Sequence, residues 1–535
     1  MLSPASSYAS AIRNFSWNIP DRFNIATAVC DRWADGTGRL ALIQAKAGHG
    51  VTYHSFDDLK RGSNRLANLL HARGLRAGDR LAILLGQRIE TLLAHLAAWK
   101  LGAITVPLFG LFGPDALSYR LADSGASFLI TDPTGVDKTA AIRDSLPALK
   151  LVYTTEPATA GAITLGPELA HASDELEVQS TLSSAPAMII YTSGTTGPPK
   201  GALHAHRVLL GHLPGVQWPH DFFPKPGDRF WTPADWAWIG GLFDVLMPSL
   251  YFGMPVVASR DGRFDPDAAI DLMARHDVKN VFMPPTALRL LRQAEIKAEK
   301  IALRSLASGG ERLGDDVIDW GRSVFGLTIN EFYGQTEANL LVGNNAALLP
   351  PKPGSMGRAI PGHEVAIVDE GGEPSPPGFT GDIAVRRPDP VMFLGYWNNE
   401  AATAEKFRGD WMITGDLGIA DEDGDITYQG RSDDIINSAG YRIGPAEIED
   451  CLTKHPAVAL AAVIGVPDAV RGEIVKACLM LRPGFEPNVD LADEIKGFVK
   501  ARLAAHEYPR ILEFLEELPL TATGKVMRRA LREMH

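Results

Sequence analysis

From Ser55 the chain reads as an amphipathic helix. Ser55-Phe56-Asp57-Asp58 has the form of a capping box, Leu59, Leu66, Leu69 and Leu70 supply an apolar face, and Gly74 offers a stop. The period then changes. Residues 81–85 read as a buried strand, a second helix is predicted around residues 91–101, and strands follow at 104–108 and 128–131. This alternation predicts a layered α/β architecture with largely parallel sheets. Further apolar strands are predicted at 188–190 and 303–307. Towards the C-terminus a helix at 446–452, strands at 463–466 and 475–481 and an amphipathic helix at 490–503 predict a compact α+β domain. There is no internal repeat and no low-complexity segment.

At 535 residues and 45% hydrophobic, the chain exceeds a single core, so a large multi-layer domain plus a smaller one is expected. A formal net charge of -12 argues against nonspecific nucleic-acid binding but leaves room for a local basic groove around an anionic cofactor. Cys30, Cys451 and Cys478 are too few and too scattered for a disulfide framework or a Cys-rich metal site, which fits a reducing compartment. Residues 1–17 have no apolar signal-peptide core, and the most apolar later window, 92–112, is broken by His95, Lys100 and Pro107. A membrane span is therefore not expected, and residence is read as cytoplasmic; Arg13 and several serines are the one trace of an organelle transit peptide.

The chemistry concentrates where the strand at 188–190 ends, in Tyr191-Thr192-Ser193-Gly194-Thr195-Thr196-Gly197-Pro198-Pro199-Lys200-Gly201. Its glycines permit close approach and positive φ, its hydroxyls donate and accept, and Lys200 adds positive charge, a combination suited to a polyphosphate cradled by backbone N–H groups. It is not the Walker pattern, because counting from Gly194 puts Pro199 where the second glycine belongs. Two later strand ends run into glycine turns, Ser308-Gly309-Gly310-Glu311 and Glu331-Phe332-Tyr333-Gly334-Gln335-Thr336-Glu337. Such turns let a flat base lie against backbone at the carboxyl ends of strands. The segment 231–241 gathers Trp231, Trp236 and Trp238 beside Gly240 and Gly241. His204 and His206 have the spacing of a metal pair on a strand, but with no third ligand evident structural or solvent-facing roles are expected.

The phosphate loop closely resembles the signature of the adenylate-forming superfamily of acyl-CoA synthetases, peptide-synthetase adenylation domains and luciferases, and the later motifs follow in the family's order. The resemblance implies that Thr192, Ser193, Gly194, Thr195, Thr196, Gly197 and Lys200 hold phosphate. It implies that Gly309, Gly310 and Glu311 line the adenine, that Tyr333 stacks on it, that Gly334 and Gln335 take part in binding ATP or AMP, that Thr336 meets phosphate and that Glu337 holds Mg²⁺. In the acetate-activating branch the position of Gly334 carries a pocket-shortening tryptophan, so acetate is not the expected acid. Trp236, Trp238 and Gly240, with Gly334, are the implied acyl-pocket candidates. Trp411-Met412-Ile413-Thr414-Gly415-Asp416 resembles the ribose motif, with Asp416 on the ribose hydroxyls.

The run from Gly430 to Pro445 resembles the hinge of acyl-CoA synthetases, most of all the medium-chain branch. The pivot falls on Asp433, which divides an ATP- and acyl-binding domain, residues 1–432, from a mobile domain, residues 433–535. Small or polar residues suit a pivot that must change φ and ψ without losing packing. Arg431 is implied to contact ribose or phosphate, Gly440 and Tyr441 to border the pantetheine tunnel, and Arg442 and Arg471 to meet CoA phosphates. Leu518-Pro519-Leu520-Thr521-Ala522-Thr523-Gly524-Lys525 resembles the last family motif, with Lys525 on the catalytic lysine. Some relatives acylate this lysine reversibly, and the run 519–525 admits the same modification; assembly into homo-oligomers is left open. The implied reaction is acid plus ATP to acyl-AMP and pyrophosphate, then displacement of AMP by CoA, with ATP, Mg²⁺ and CoA as cofactors or co-substrates. The acid implied is short- or medium-chain, branched or aromatic. A ligase loading a carrier protein, a luciferase-like oxidase and a non-catalytic adenylate sensor share the motifs; the hinge favours CoA, and Lys525 and Glu337 speak against a sensor.

Overall fold

The computed structural model describes all residues except 47–49, 158–160, 193–197, 260–263, 295, 297, 433, 435, 439–440, 469–470, 504–507, 522–525 and 535. The chain forms two compact units, Met1–Glu364 with Arg386–Lys406, and Val365–Val385 with Phe407–His535. The boundary expected from the hinge resemblance, at 432/433, thus falls inside the second unit.

In the first unit, local signals and packing agree. Ser55 accepts from the Asp58 N–H while Asp58 caps the Ser55 N–H, and the helix Phe56–Ala72 that they start buries Leu59, Leu66, Leu69 and Leu70. Gly74 follows it at φ +101°, a conformation that needs glycine. The strand Arg80–Leu84, the helix Ile89–Lys100 and the strands Ile104–Pro107 and Phe128–Thr131 stand within two residues of the pattern. The strands among them enter a sheet ordered Gly395–Tyr396, Lys200–Ala205, Pro186–Thr192, Ile104–Pro107, Arg80–Leu84, Phe128–Thr131, Leu151–Thr154, Ile163–Thr164. All its pairs are parallel except the two at the Gly395 end.

A second sheet runs from Arg358–Ala359 through Ala338–Gly343, Asn330–Gln335, Ser305–Gly309, Asn280–Phe282, Phe230–Trp231, Val256–Ala258 and Leu40–Lys46 to Gly50–Ser55. Its interior is parallel and its ends antiparallel. The strand expected at 303–307 lies at Ser305–Gly309, because parallel pairing of Asn280 with Ser305 and Phe282 with Ala307 sets its register, not its own apolar run. One core cluster joins both sheets, with Met188 and Ile190 from the first, Phe230, Phe282 and Phe332 from the second, and Leu209, Leu213 and Phe243 from the helical segments. Burying side chains of this size at roughly 1.5–3 kcal/mol each is the main drive for the two-sheet arrangement.

The second unit holds two largely antiparallel sheets. Val365–Val368, Thr380–Arg386, Trp411–Ala420, Phe407–Arg408 and Ile426–Arg431 form one. Tyr441–Ile443, Ile436–Ser438, Gly472–Leu481, Val458–Asp468 and Ile511–Phe514 form the other, packed with the helices Pro445–Thr453 and Val489–Lys500. The strand expected at 463–466 is far longer, since its hairpin register with Gly472–Leu481 runs from the Val458–Leu481 pair to the Asp468–Gly472 pair. Among the described residues no helix is long and apolar enough to cross a membrane.

Candidate active site

The strands on either side of the glycine-rich run pair antiparallel: Thr192 pairs with Lys200 and Tyr191 with Gly201. Residues 193–197, named above for phosphate, lie outside the described residues. Lys200, at the loop's exit, places its ammonium 5.3 Å from the centroid of the Tyr396 ring. The same tyrosine donates its hydroxyl to Glu337 Oε1, and the Phe393 N–H donates to the Glu337 carbonyl at 2.8 Å. Glu337 is buried. Thr336 and Glu337 form the two-residue turn between the strands Asn330–Gln335 and Ala338–Gly343, so that turn, Lys200 and Tyr396 occupy one neighbourhood. Sequence reasoning missed Tyr396. Its two-residue strand, paired to Lys200–Ala205, carries no local signal beyond the aromatic pair Tyr396-Trp397.

Gly309 ends its strand with its Cα against the ring of Phe332: an added Cβ would lie 2.5 Å from Phe332 Cε2. Gly310 follows at φ +92°. Glu311 is turned to the helix Pro285–Gln293, accepting from Arg289 at 3.3 Å and Thr286 at 3.4 Å. Tyr333 is buried, and Gln335 accepts from the Lys406 ammonium at 3.3 Å. Gly334 has a backbone reason of its own. A Cβ there would lie 2.3 Å from Leu340 N and 2.7 Å from Asn339 Cα, at the bulge where the two strands shift register. Gly334→Ala is therefore expected to cost about 1–3 kcal/mol of stability by overpacking and to lower turnover of every acid in parallel; thermal melting with a substrate panel checks this.

Of the acyl-pocket candidates, Trp236 is fully buried and belongs to the core joining the sheets. Trp238 is half-buried against Phe109 and Phe112, with ring centroids 5.4 and 6.2 Å away. Gly240, also half-buried, begins a π-helical segment, Gly240–Leu246, a rare geometry often found at functional sites. His204 and His206 are fully buried, so the structural reading holds and the solvent-facing one does not. Burial pushes their imidazoles down to about 3 and about 4, which keeps both neutral.

In the second unit Asp416 and Arg431 are cross-strand partners, and the guanidinium donates to Asp416 Oδ1 at 3.0 Å. Asp416 is buried and Arg431 partly so. Gly415 turns at φ +81°, which brings its carbonyl under the Ser432 N–H and hydroxyl. Asp433 and Gly440, and Lys525 further on, lie outside the described residues, while Tyr441 and Arg442 are described only as backbone of Tyr441–Ile443. Arg471 is exposed, and its N–H donates to Asp468 Oδ1 at 2.8 Å. Asp421, Asp423 and Asp425 form a group close enough to hold a cation, but Asp421 Oδ1 already accepts two N–H groups of their hairpin turn.

Comparison with known proteins bears on this arrangement. Residues 30–397 match the family model described as AMP-binding enzyme, and residues 447–525 match the AMP-binding enzyme C-terminal domain. The chain is 37% identical to the acetyl-coenzyme A synthetase of Bacillus subtilis (strain 168) over 546 residues, covering 98% of this chain and 94% of the relative. It is 36% identical to the mitochondrial acyl-coenzyme A synthetase ACSM3 of Rattus norvegicus, covering 98% and 93%. The crystal structure of ATP-bound MatB from Rhodopseudomonas palustris superposes with a TM-score of 0.86 at 31% identity, covering 96% of this chain and 98% of that one.

Proposed function

The chain belongs to the family of AMP-binding enzymes and is an ATP-dependent acid–CoA ligase of the acyl-CoA synthetase kind; on that premise we propose that its acid is short- or medium-chain, branched or aromatic, and that the residues named below carry the reaction. The observation that carries the assignment of roles is the convergence of Lys200, at the end of the glycine-rich loop, and the buried carboxylate of Glu337 on a single tyrosine, Tyr396.

The physical problem of the first half-reaction is charge, since an anionic carboxylate must approach a triphosphate. Alignment and electrostatic stabilisation therefore carry the rate, without a protein nucleophile. The loop 192–200 holds the phosphates through its N–H groups and Lys200. Thr336 donates to phosphate, and Tyr333 with Gly309, Gly310, Glu311, Gly334 and Gln335 forms the adenine site. Asp416, oriented by Arg431, accepts from the ribose hydroxyls. Glu337 suits Mg²⁺: it is a hard oxygen donor, buried and oriented by the Tyr396 hydroxyl. When bound there, Mg²⁺ supplies charge neutralisation for the leaving pyrophosphate. Lys525 bridges the acid and the α-phosphate, the carboxylate oxygen attacks phosphorus, and pyrophosphate leaves.

For the second half-reaction Lys525 must withdraw, and rotation about Asp433 accomplishes this while presenting Gly440, Tyr441 and Arg442 to CoA, with Arg471 on its phosphates. The thiolate attacks the acyl carbon and AMP leaves. The preference for an acid longer than acetate rests on the likeness of the hinge to the medium-chain branch, since the backbone at Gly334 requires glycine whatever the acid; of the relatives, one is named for acetyl-CoA and the other for acyl-CoA without specifying the acyl group.

Acid-dependent exchange of labelled pyrophosphate into ATP, in the absence of CoA, tests the adenylation step alone. Exchange with medium-chain or aromatic acids and little with acetate is expected; exchange with acetate only would overturn the substrate reading. Glu337→Gln keeps the shape of the side chain and removes its charge, so the same assay should show a rise in the Mg²⁺ concentration required and a loss of exchange on the order of 10²-fold.

A further inference from the structure

Below Gly240 lies a buried polar chain that the reaction as described does not use. Asp244, on the π-helical segment Gly240–Leu246, is 4% exposed. Its Oδ1 accepts from Asn339 Nδ2 at 2.6 Å, and the same amide nitrogen lies 3.4 Å from His212 Nε2. His212 Nδ1 faces the Val208 carbonyl at 2.7 Å, so that nitrogen carries the hydrogen and Nε2 is an acceptor. Both hydrogens of the Asn339 amide are thereby used, one on His212 and one on Asp244 Oδ1.

The other carboxyl oxygen, Oδ2, has no hydrogen-bond partner among the described residues. It is not sealed either, in contrast to the enclosed indole nitrogen of the neighbouring Trp236. It opens beside Gly240, where an added Cβ would lie 3.5 Å from Oδ2 and 3.1 Å from the ring of Phe282. Any side chain at 240 would stand in front of this oxygen. Phe282 ends the strand Asn280–Phe282, and Asn339 reaches Gly334, whose Cβ would lie 2.7 Å from Asn339 Oδ1. Asp244 thus sits over the carboxyl ends of the parallel strands, among the very glycines assigned to the acyl pocket.

A carboxyl buried here with no cationic partner among the described residues is driven to its neutral form: burial raises it well above the ordinary carboxylate range, and the Asn339 hydrogen bond only partly offsets this. With Oδ1 occupied as an acceptor, the proton belongs on Oδ2, the open atom. An unsatisfied buried donor is costly, and a ligand oxygen relieves it.

We propose that Asp244 is a specificity-determining residue of the acyl site, its Oδ2–H donating a hydrogen bond to an uncharged oxygen, hydroxyl or carbonyl, carried on the tail of the acid. Asn339 and His212 are positioning residues that hold the donor in place. The proposal rests on the ligase reading above. A pocket built to hydrogen-bond a substrate oxygen discriminates against the analogue that lacks it far more strongly than an apolar pocket discriminates by size.

The test uses the full-length enzyme with ATP, Mg²⁺ and CoA, and acids of equal carbon number that carry no substituent, a hydroxyl, an oxo group, an ammonium or a second carboxylate. The quantity read is kcat/KM for pyrophosphate release. The wild type should favour a hydroxy or oxo acid over the unsubstituted acid by at least about tenfold. Asp244→Leu should reverse that ratio, and Asp244→Asn, which keeps a donor, should preserve its direction. Preference of the wild type for the unsubstituted or the ammonium acid overturns the proposal, and so does a ratio unmoved in Asp244→Leu; should that variant fail to fold, the wild-type preference decides. Turnover of some acids without the expected order would sink this inference and leave the ligase standing. Silence on every acid would remove the ligase reading and this inference with it.

Discussion

Lys525→Ala is expected to abolish acyl-AMP formation while sparing the formation of thioester from supplied acyl-AMP. The reasoning is electrostatic. Two anions, the carboxylate and the α-phosphate, must come within bonding distance, and a fixed ammonium placed between them lowers that barrier most in the transition state. Loss of one such charge costs on the order of 10²–10³ in rate. The second half-reaction breaks an acyl–phosphate bond with a thiolate and does not need the same bridge. Acyl-AMP formation and thioester formation are measured separately, in single turnover, on the variant and the wild type. An equal loss in both would refute the role of Lys525.

Asp433→Pro should do the reverse. Proline fixes φ near −65° and removes an N–H, so a residue that must change its backbone angles between two half-reactions is frozen in one. The neighbouring residue shows what such a pivot would carry. Asp434 accepts from Arg528 at 3.3 Å and from Arg532 at 2.8 Å, both on the helix Arg528–Glu533 that begins three residues beyond Lys525. Arg528 also donates to Glu449 at 2.6 Å. Residue 434 is thus tied to the C-terminal helix by buried and half-buried ion pairs, so a rotation at 433 would move it with the segment bearing Lys525. The expected outcome is adenylation within a few-fold of wild type and loss of the thioester step. An unaffected thioester step would sink the hinge assignment.

Much of the fold was legible because local and tertiary demands coincide. Ser55 and Asp58 cap the same helix whose leucines face the core, and the short apolar runs at 80–84, 104–107 and 128–131 are strands of one parallel sheet. Where tertiary pairing sets the limits, the sequence misplaced them. Ser305–Gly309 is displaced toward its partner, and Val458–Asp468 extends past 463–466 at both ends, over the apolar Val458–Ala462 and over Pro467 and Asp468, because its hairpin partner continues opposite both. In the candidate site, the family resemblance pointed to the phosphate loop, the Thr336-Glu337 turn, Asp416 and Arg431, the last two in separate motifs rather than as the hydrogen-bonded pair that they form. It did not name Tyr396, which lies 59 residues from its hydrogen-bond partner Glu337. Nor did it name Asp244, Asn339 and His212, which come from a π-turn, a strand and a helix and meet only in the folded unit. Gly334 was read for what it lacks in the pocket, whereas its backbone packing against Leu340 already requires glycine.

The central claim, that this chain joins a carboxylic acid to CoA through an acyl-AMP, is tested most directly by one measurement. A panel of acids from acetate through branched and medium-chain to aromatic is assayed with ATP and Mg²⁺ for pyrophosphate release and for thioester, with and without CoA. A peak of CoA-dependent turnover on one class of acid larger than acetate is expected, with equal amounts of pyrophosphate and acyl-CoA. Pyrophosphate release that never becomes thioester, or no release with any acid, would contradict it.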